Sequence, residues 1–145
     1  MAENTEDRRD HTRALIRELL DERKELWALY CKLGGMQPFG PENGPDSAVQ
    51  EFCQVLVDYI SLGHFAVYQR LTDGTERRQN VLDVADEIYP QIVAATDVAV
   101  EFNDKYESLS GDGLREHLAE DLSRLGEVLA VRFELEDRLL EVMVA

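Results

Sequence analysis

Residues 52–71 read FCQVLVDYISLGHFAVYQRL, and the pattern of this segment sets the interpretation of the chain. The segment contains no proline, and its apolar residues recur at intervals of three and four, which is typical of an amphipathic helix. At about 100° per residue, one broad face of this helix collects the residues expected to enter a core. These residues are Val49, Phe52, Cys53, Leu56, Ile60, Gly63, Val67 and Leu71.

The opposite face of this predicted helix is not purely polar. It carries Asp58, Ser61, Leu62, Phe65 and Gln69, with Val55 at its edge. An aromatic side chain at helical spacing is how many helices present an anchor to a protein partner. Single exposed apolar residues are also common on soluble proteins, so the pattern alone leaves a docking surface and an ordinary surface open.

The length of 145 residues predicts a single helical domain, 1–145, with one hydrophobic core. Residues 1–7 are expected to be disordered. No apolar run approaches the length of a membrane span, and the N-terminus lacks the apolar stretch of a signal peptide. We therefore expect a cytoplasmic protein, with Cys31 and Cys53 as small buried hydrophobic residues rather than a disulfide.

The net charge is −15, from 30 acidic and 15 basic residues. An excess of this size argues against direct binding to nucleic acid, because phosphates attract basic surfaces. It favours attraction to a basic protein partner. No direct contact with nucleic acid or membrane is expected.

Helical periodicity extends over most of the chain. The predicted helices run from residues 5–8 to about Leu33, from Ser47 to about Leu71, from the turn at 72–75 to about Tyr106, and from about Gly113 to Met143. A loop rich in glycine and proline, 34–45, separates the first two. Pro90 should kink or split the third helix near residues 86–89. Together these helices predict an all-α protein, an antiparallel up-down four-helix bundle.

Two charged residues lie in the middle of predicted core faces: Arg23 in the first helix and Glu136 in the fourth. A buried charge is costly unless it is paired. His64 lies at the flank of the core face of the second helix, where a packed, hydrogen-bonded histidine is expected. We interpret Arg23, Glu136 and His64 as a polar network in the core.

Side chains for catalysis or metal binding are not arranged in any familiar motif. Di-iron bundles need a Glu-x-x-His motif, and none of His11, His64 and His117 has a glutamate three residues earlier. No C-x-x-C, H-E-x-x-H or phosphate-binding glycine loop is present. We expect a protein that is not an enzyme and that uses no catalytic residue, cofactor or metal.

The segment 52–65 resembles the Rsd/AlgQ family of bacterial anti-sigma factors. Three further segments resemble patterns of this family, and the similarity covers the chain from about Leu15 to its end. They are Arg23-Lys24 with Leu26, Tyr89-Pro90-Gln91, and Arg132-Phe133-x-Leu135-Glu136-Asp137-x-Leu139.

The resemblance implies a bundle that binds region 4 of the primary sigma factor, the module that reads the −35 promoter element. Binding there would withhold sigma from core RNA polymerase and from promoter DNA. The positions that match the sigma-contacting stretch of the family are Asp58, Ser61 and Phe65, which share a face with Leu62 and Gln69. The protein is expected to bind sigma as a monomer.

Two other functions remain open at this point. The chain could be a signalling adaptor that regulates an enzyme or carrier protein through another face of the bundle. It could also bind a small molecule or metal through Arg23 and Glu136.

Overall fold

The computed structural model describes residues 2–40, 44–72, 74 and 76–144, excluding the side chains of residues 2–8, 66 and 72. Over these residues the chain is all-helical, as predicted, and contains no β-strand. Its α-helices are α1 (Ala2–Gly34), α2 (Asp46–Gly63), α3 (Gln69–Thr72), α4 (Gln79–Glu107), α5 (Gly111–Arg115) and α6 (Leu118–Val144). None of them combines the length and hydrophobicity that crossing a membrane requires.

The core forms where the apolar faces of the four long helices meet. Helix α1 packs against α2 and α6, and α4 packs against the same two helices. Along α1 and α6 the contacts run in opposite order, since Arg23 bonds to Asp137 and Tyr30 bonds to the carbonyl of Leu122. Helix α2 buries Val49, Phe52, Cys53 and Leu56. Its buried face differs from the prediction, because Tyr59 is fully buried and Ile60 only partly so.

The ends and interruptions of the helices differ from the prediction. Helix α1 begins at Ala2, earlier than the predicted start at residues 5–8, and Met1 lies outside the described residues. The third helix was predicted to be kinked or split at Pro90; helix α4 is not split, because it runs continuously through Pro90. Pro90 is exposed, and a carbonyl that loses its bond there can turn to water. The predicted fourth helix is two helices, because the chain turns at Glu116 and His117 between α5 and α6.

The predicted loop and turn are described only in part. Residues 41–43 of the loop 34–45, and residues 73 and 75 of the turn 72–75, lie outside the described residues.

A single π-helical turn, His64–Tyr68, joins α2 to α3. Its defining bond runs from the Gln69 amide to the His64 carbonyl, five residues earlier. Such a turn shifts the helical register, and π-helical turns often occur at functional sites. Here Val67 and Tyr68 are both buried, whereas Phe65 projects outward.

Candidate partner-binding surface

The five residues predicted to bind a partner form an exposed strip, which we call the ridge, along α2, the π-helical turn and α3. Phe65 is 65% exposed, the largest exposure among the large hydrophobic residues of the described chain. Asp58 and Gln69 are also exposed, whereas Ser61 and Leu62 are half-buried. Leu62 packs against the core, so it supports the ridge rather than projecting from it.

Phe65 is therefore free to contact another protein, while its neighbours fix its position. The His64 ring lies edge-on to the Phe65 ring with a centroid separation of 5.1 Å. The prediction that His64 belongs to the core network is wrong, because His64 is exposed at the start of the π-helical turn. Tyr68, four residues later, turns inward in its place. Val55, predicted at the edge of the outer face, is also buried.

Acidic side chains border the ridge on the side of α1. Burial raises the pKa of Glu22 above its usual value, and the nearby carboxylates of Glu25, Asp58 and Glu18 raise it further. Asp58 accepts a hydrogen bond of 3.2 Å from the Gln54 amide nitrogen, one turn earlier. Repulsion among these carboxylates would be relieved by a positively charged partner.

A buried ion pair lies in the core beneath this part of α2. Arg132 and Glu136, one turn apart on α6, are each 1% exposed, and Arg132 Nε lies 3.3 Å from Glu136 Oε1. Arg132 Nη1 also donates to Thr96 Oγ1 at 2.7 Å, and the Tyr59 hydroxyl donates to Glu136. We call Tyr59, Thr96, Arg132 and Glu136 the charged layer.

Arg23 lies beside the charged layer without an ion pair to Glu136. Its guanidinium bonds to Asp137 Oδ1 at 2.6 Å and lies 5.0 Å from the centre of the Phe133 ring. Burial by itself would lower the pKa of Arg23, but the bond to Asp137 and the proximity of Tyr59 and Glu136 raise it. Arg23 therefore remains charged at the edge of the core.

Sequence reasoning placed Glu136 in the core but missed its partners Arg132, Tyr59 and Thr96. The spacing of Arg132 and Glu136 was the available signal, because residues four apart on a helix are neighbours. Burial, followed by the charge of Glu136, raises the pKa of both Tyr59 and Tyr68. The two tyrosines therefore remain protonated beside the ion pair.

The two cysteines differ in burial. Burial raises the pKa of the Cys53 thiol to about 11, which makes it a poor nucleophile. Cys31 is exposed, so the prediction that it is buried is wrong. No group of three His, Cys, Asp or Glu side chains among the described residues is placed to hold a metal ion.

A family model described as "Regulator of RNA polymerase sigma(70) subunit, Rsd/AlgQ" matches residues 1–144. The chain belongs to this family. The description implies a regulatory rather than a catalytic role.

The names of individual relatives agree with the description of the family. The chain is 34% identical over 143 residues to the regulator of sigma D of Shigella dysenteriae, covering 95% of this chain and 89% of the relative. It is also 34% identical over 131 residues to the regulator of sigma D of Yersinia enterocolitica, covering 88% and 78% of the two chains. A relative of the same name from Salmonella paratyphi A is 34% identical over 142 residues, covering 95% of this chain and 86% of the relative.

Proposed function

We propose that this protein is an anti-sigma factor that binds region 4 of the primary sigma factor through the ridge. The observation that carries the proposal is the exposed Phe65 ring, in a chain that belongs to a family of sigma(70) regulators. Phe65 is the apolar anchor, and Asp58 accepts charged hydrogen bonds from basic groups of sigma. Ser61 is small enough to permit close approach, and Gln69 extends the contact along α3.

The charge of the protein supports this partner. A module that reads promoter DNA is basic, because it must contact phosphates. The carboxylates of Glu18, Glu22 and Glu25 on α1 border the ridge, and the chain carries a net charge of −15. Electrostatic complementarity of this kind increases the association rate and excludes acidic partners. Sigma bound here is withheld from core polymerase and from the −35 element.

The proposal includes an architecture, an antiparallel up-down four-helix bundle in which residues 1–145 form one domain. It is supported by the packing of α1 and α4 against both α2 and α6, and by the opposite order of contacts along α1 and α6. We also propose that the protein is a monomer when it is bound to sigma; its oligomeric state in the absence of sigma is not part of the proposal.

Substitution of Phe65 by alanine tests the function. Truncating a central aromatic anchor costs about 2 kcal/mol, which corresponds to about a thirtyfold weaker complex. Isothermal titration of purified sigma region 4 into each variant measures this change, and circular dichroism checks that the helices persist. Val131→Ala is the matched control, because Val131 is 50% exposed and lies on α6, which carries no residue of the ridge.

A Phe65→Ala variant that binds as tightly as the parent protein would exclude the proposed anchor. The same titration at higher salt should show weaker binding, because surface charges are screened within about 8 Å at physiological ionic strength.

A specific observation favours the adaptor as a second candidate function. Leu20 and Trp27 on α1 are 39% and 38% exposed, and they line a slot of about 390 Å³ with Phe133 of α6. Exposed aromatic and aliphatic side chains around a slot are typical of docking sites. A protein that binds together with sigma region 4, and is lost on Trp27→Ala, would identify this second surface.

A further inference from the structure

A groove lies on the side of the ridge opposite the acidic border, between the π-helical turn and α4. Its volume is about 290 Å³. Phe65 forms part of one wall, and Tyr89 and Val93 of α4 form part of the other. The groove is thus continuous with the proposed sigma-binding surface but extends beyond the five residues of the ridge.

The wall contributed by α4 is apolar and accessible. Tyr89 is 39% exposed and Val93 is 40% exposed. They lie four residues apart, so their side chains are neighbours on one face of the helix. Large exposed hydrophobic residues that face another apolar wall across a groove indicate a contact site more strongly than scattered single ones.

The deep polar groups of the groove are already engaged with one another. Thr96 Oγ1 accepts the bond from Arg132 Nη1 and donates to the Ile92 carbonyl at 2.8 Å. Arg132 also bonds to Glu136. An occupant that brought its own charge would have to compete with these bonds, whereas an apolar group would not.

The groove is large enough to hold an apolar side chain. A cavity of about 150 Å³ lined by aliphatic and aromatic groups is enough to bind benzene. The groove therefore has room for one leucine, isoleucine or phenylalanine side chain. Asp97 lies in its lining, and the chain as a whole is strongly acidic, so the segment that carries this side chain should be basic.

We propose that the groove between the π-helical turn and α4 receives a large apolar side chain of the sigma partner, and that Tyr89 and Val93 form its specificity-determining wall. This inference rests on the proposed function and deepens it. Phe65 then has two roles, because one side of its ring faces sigma directly and the other closes the groove. Anchors that pair with a pocket on the partner are typical of protein interfaces.

Substitutions in the groove test the inference. Tyr89→Ala and Val93→Ala remove the wall, and each should weaken binding of sigma region 4 about tenfold in isothermal titration. Val93→Trp fills the groove and should weaken binding at least as much. Val131→Ala again serves as the control, because Val131 is at least as exposed as Tyr89 and Val93 and does not line the groove. Circular dichroism and thermal unfolding check the fold, and Tyr89→Ala remains informative if the tryptophan variant does not fold.

The results separate this inference from the proposed function. Weaker binding by both Phe65→Ala and the groove variants supports both. Weaker binding by Phe65→Ala alone overturns the occupied groove and leaves the anti-sigma function standing. If neither weakens binding, both proposals fail. If Val93→Trp instead disrupts self-association of the free protein in sedimentation without changing sigma binding, the occupant is a second copy of this chain and the inference is wrong.

Discussion

Two groups of core residues in this protein have opposite chemistry. One, which we call the aromatic layer, consists of Tyr30, Phe52, Phe102 and Tyr106. The Phe52 and Phe102 rings meet edge to face at 5.8 Å, and Phe102 and Tyr106 lie 4.6 Å apart. Its two hydroxyls reach the Leu122 carbonyl and the Asp121 carboxylate. The other is the charged layer, which buries a full ion pair.

The two layers contribute differently to the stability of the core. Aromatic side chains bury large areas and favour edge-to-face contacts, so the aromatic layer stabilises the fold directly. A buried ion pair gains little net stability, because both ions lose their hydration. In the charged layer, Glu136 Oε2 has no hydrogen-bond partner among the described residues. We therefore expect the charged layer to tolerate apolar replacement of the whole pair but not the loss of one ion.

Glu136→Ala should have the largest effect on stability. It leaves the Arg132 guanidinium buried without its carboxylate, which costs about 3–5 kcal/mol in the free energy of unfolding measured with urea. The double variant Arg132→Met with Glu136→Leu removes both ions and should recover most of that loss. A single variant that loses less than about 1 kcal/mol, or a double variant as unstable as the single one, would contradict the contrast between the layers.

Gly126→Ala should destabilise the aromatic layer by about 1–3 kcal/mol, despite the better helix propensity of alanine. A Cβ at this position would collide with the Tyr30 hydroxyl, which would have to leave the Leu122 carbonyl. Gly63→Ala is the matched control next to the charged layer. A Cβ there would lie 3.5 Å from Arg132 Nη2, an ordinary contact distance. Urea unfolding measures the free energy of unfolding of both variants. If the two substitutions lower it equally, the clash at Gly126 has no role.

Alkaline pH should act on the charged layer through Tyr59 and Tyr68. Their pKa values are raised by burial and then by Glu136, so the folded protein holds protons that the unfolded chain releases. Their contribution to stability is therefore complete below the unfolded pKa of about 10 and is lost progressively above it. The part of the tyrosinate absorbance that Tyr59 and Tyr68 contribute should rise with unfolding rather than before it.

Two variants sharpen this prediction. Tyr59→Phe should lower stability at neutral pH by about 1–3 kcal/mol, because the Glu136 carboxylate loses a hydrogen-bond donor. It should also make the loss of stability at alkaline pH less steep, because one titrating group is removed. Phe52→Leu in the aromatic layer should cost about 1 kcal/mol at every pH and leave the slope unchanged. Equal slopes for Tyr59→Phe and the parent protein would disprove the role of Tyr59.

Glu22→Gln should have the smallest effect, since it acts at the surface beside the ridge. The pKa of Glu22 is raised, so its contribution to stability is present below the unfolded pKa and is lost as the pH rises through the folded value. At neutral pH the substitution removes repulsion and should stabilise the protein by no more than about 0.5 kcal/mol. The Glu22→Gln variant should also bind sigma region 4 more weakly, because a favourable charge is lost. Tighter binding would show that the acidic border does not attract the partner.

The outward position of Phe65 could be predicted because it depends on only one helix. Counting residues around α2 and into the start of the π-helical turn separates the side that carries Phe52 and Leu56 from the side that carries Asp58 and Phe65. The same counting failed near His64, where the π-helical turn adds a residue to the register. The regular period of 3.6 residues in the sequence gives no sign of such a turn.

The sequence by itself determined the helical class of this protein, the faces of its long helices, the acidic charge and the position of the ridge. These properties follow from local periodicity and composition. Only the tertiary structure decided that Arg132 pairs with Glu136 beneath Tyr59, and that Tyr89 and Val93 stand across a groove from Phe65. The physical reason is that contacts between helices depend on the rotation and register of every helix at once, and the pattern along one helix does not contain that information.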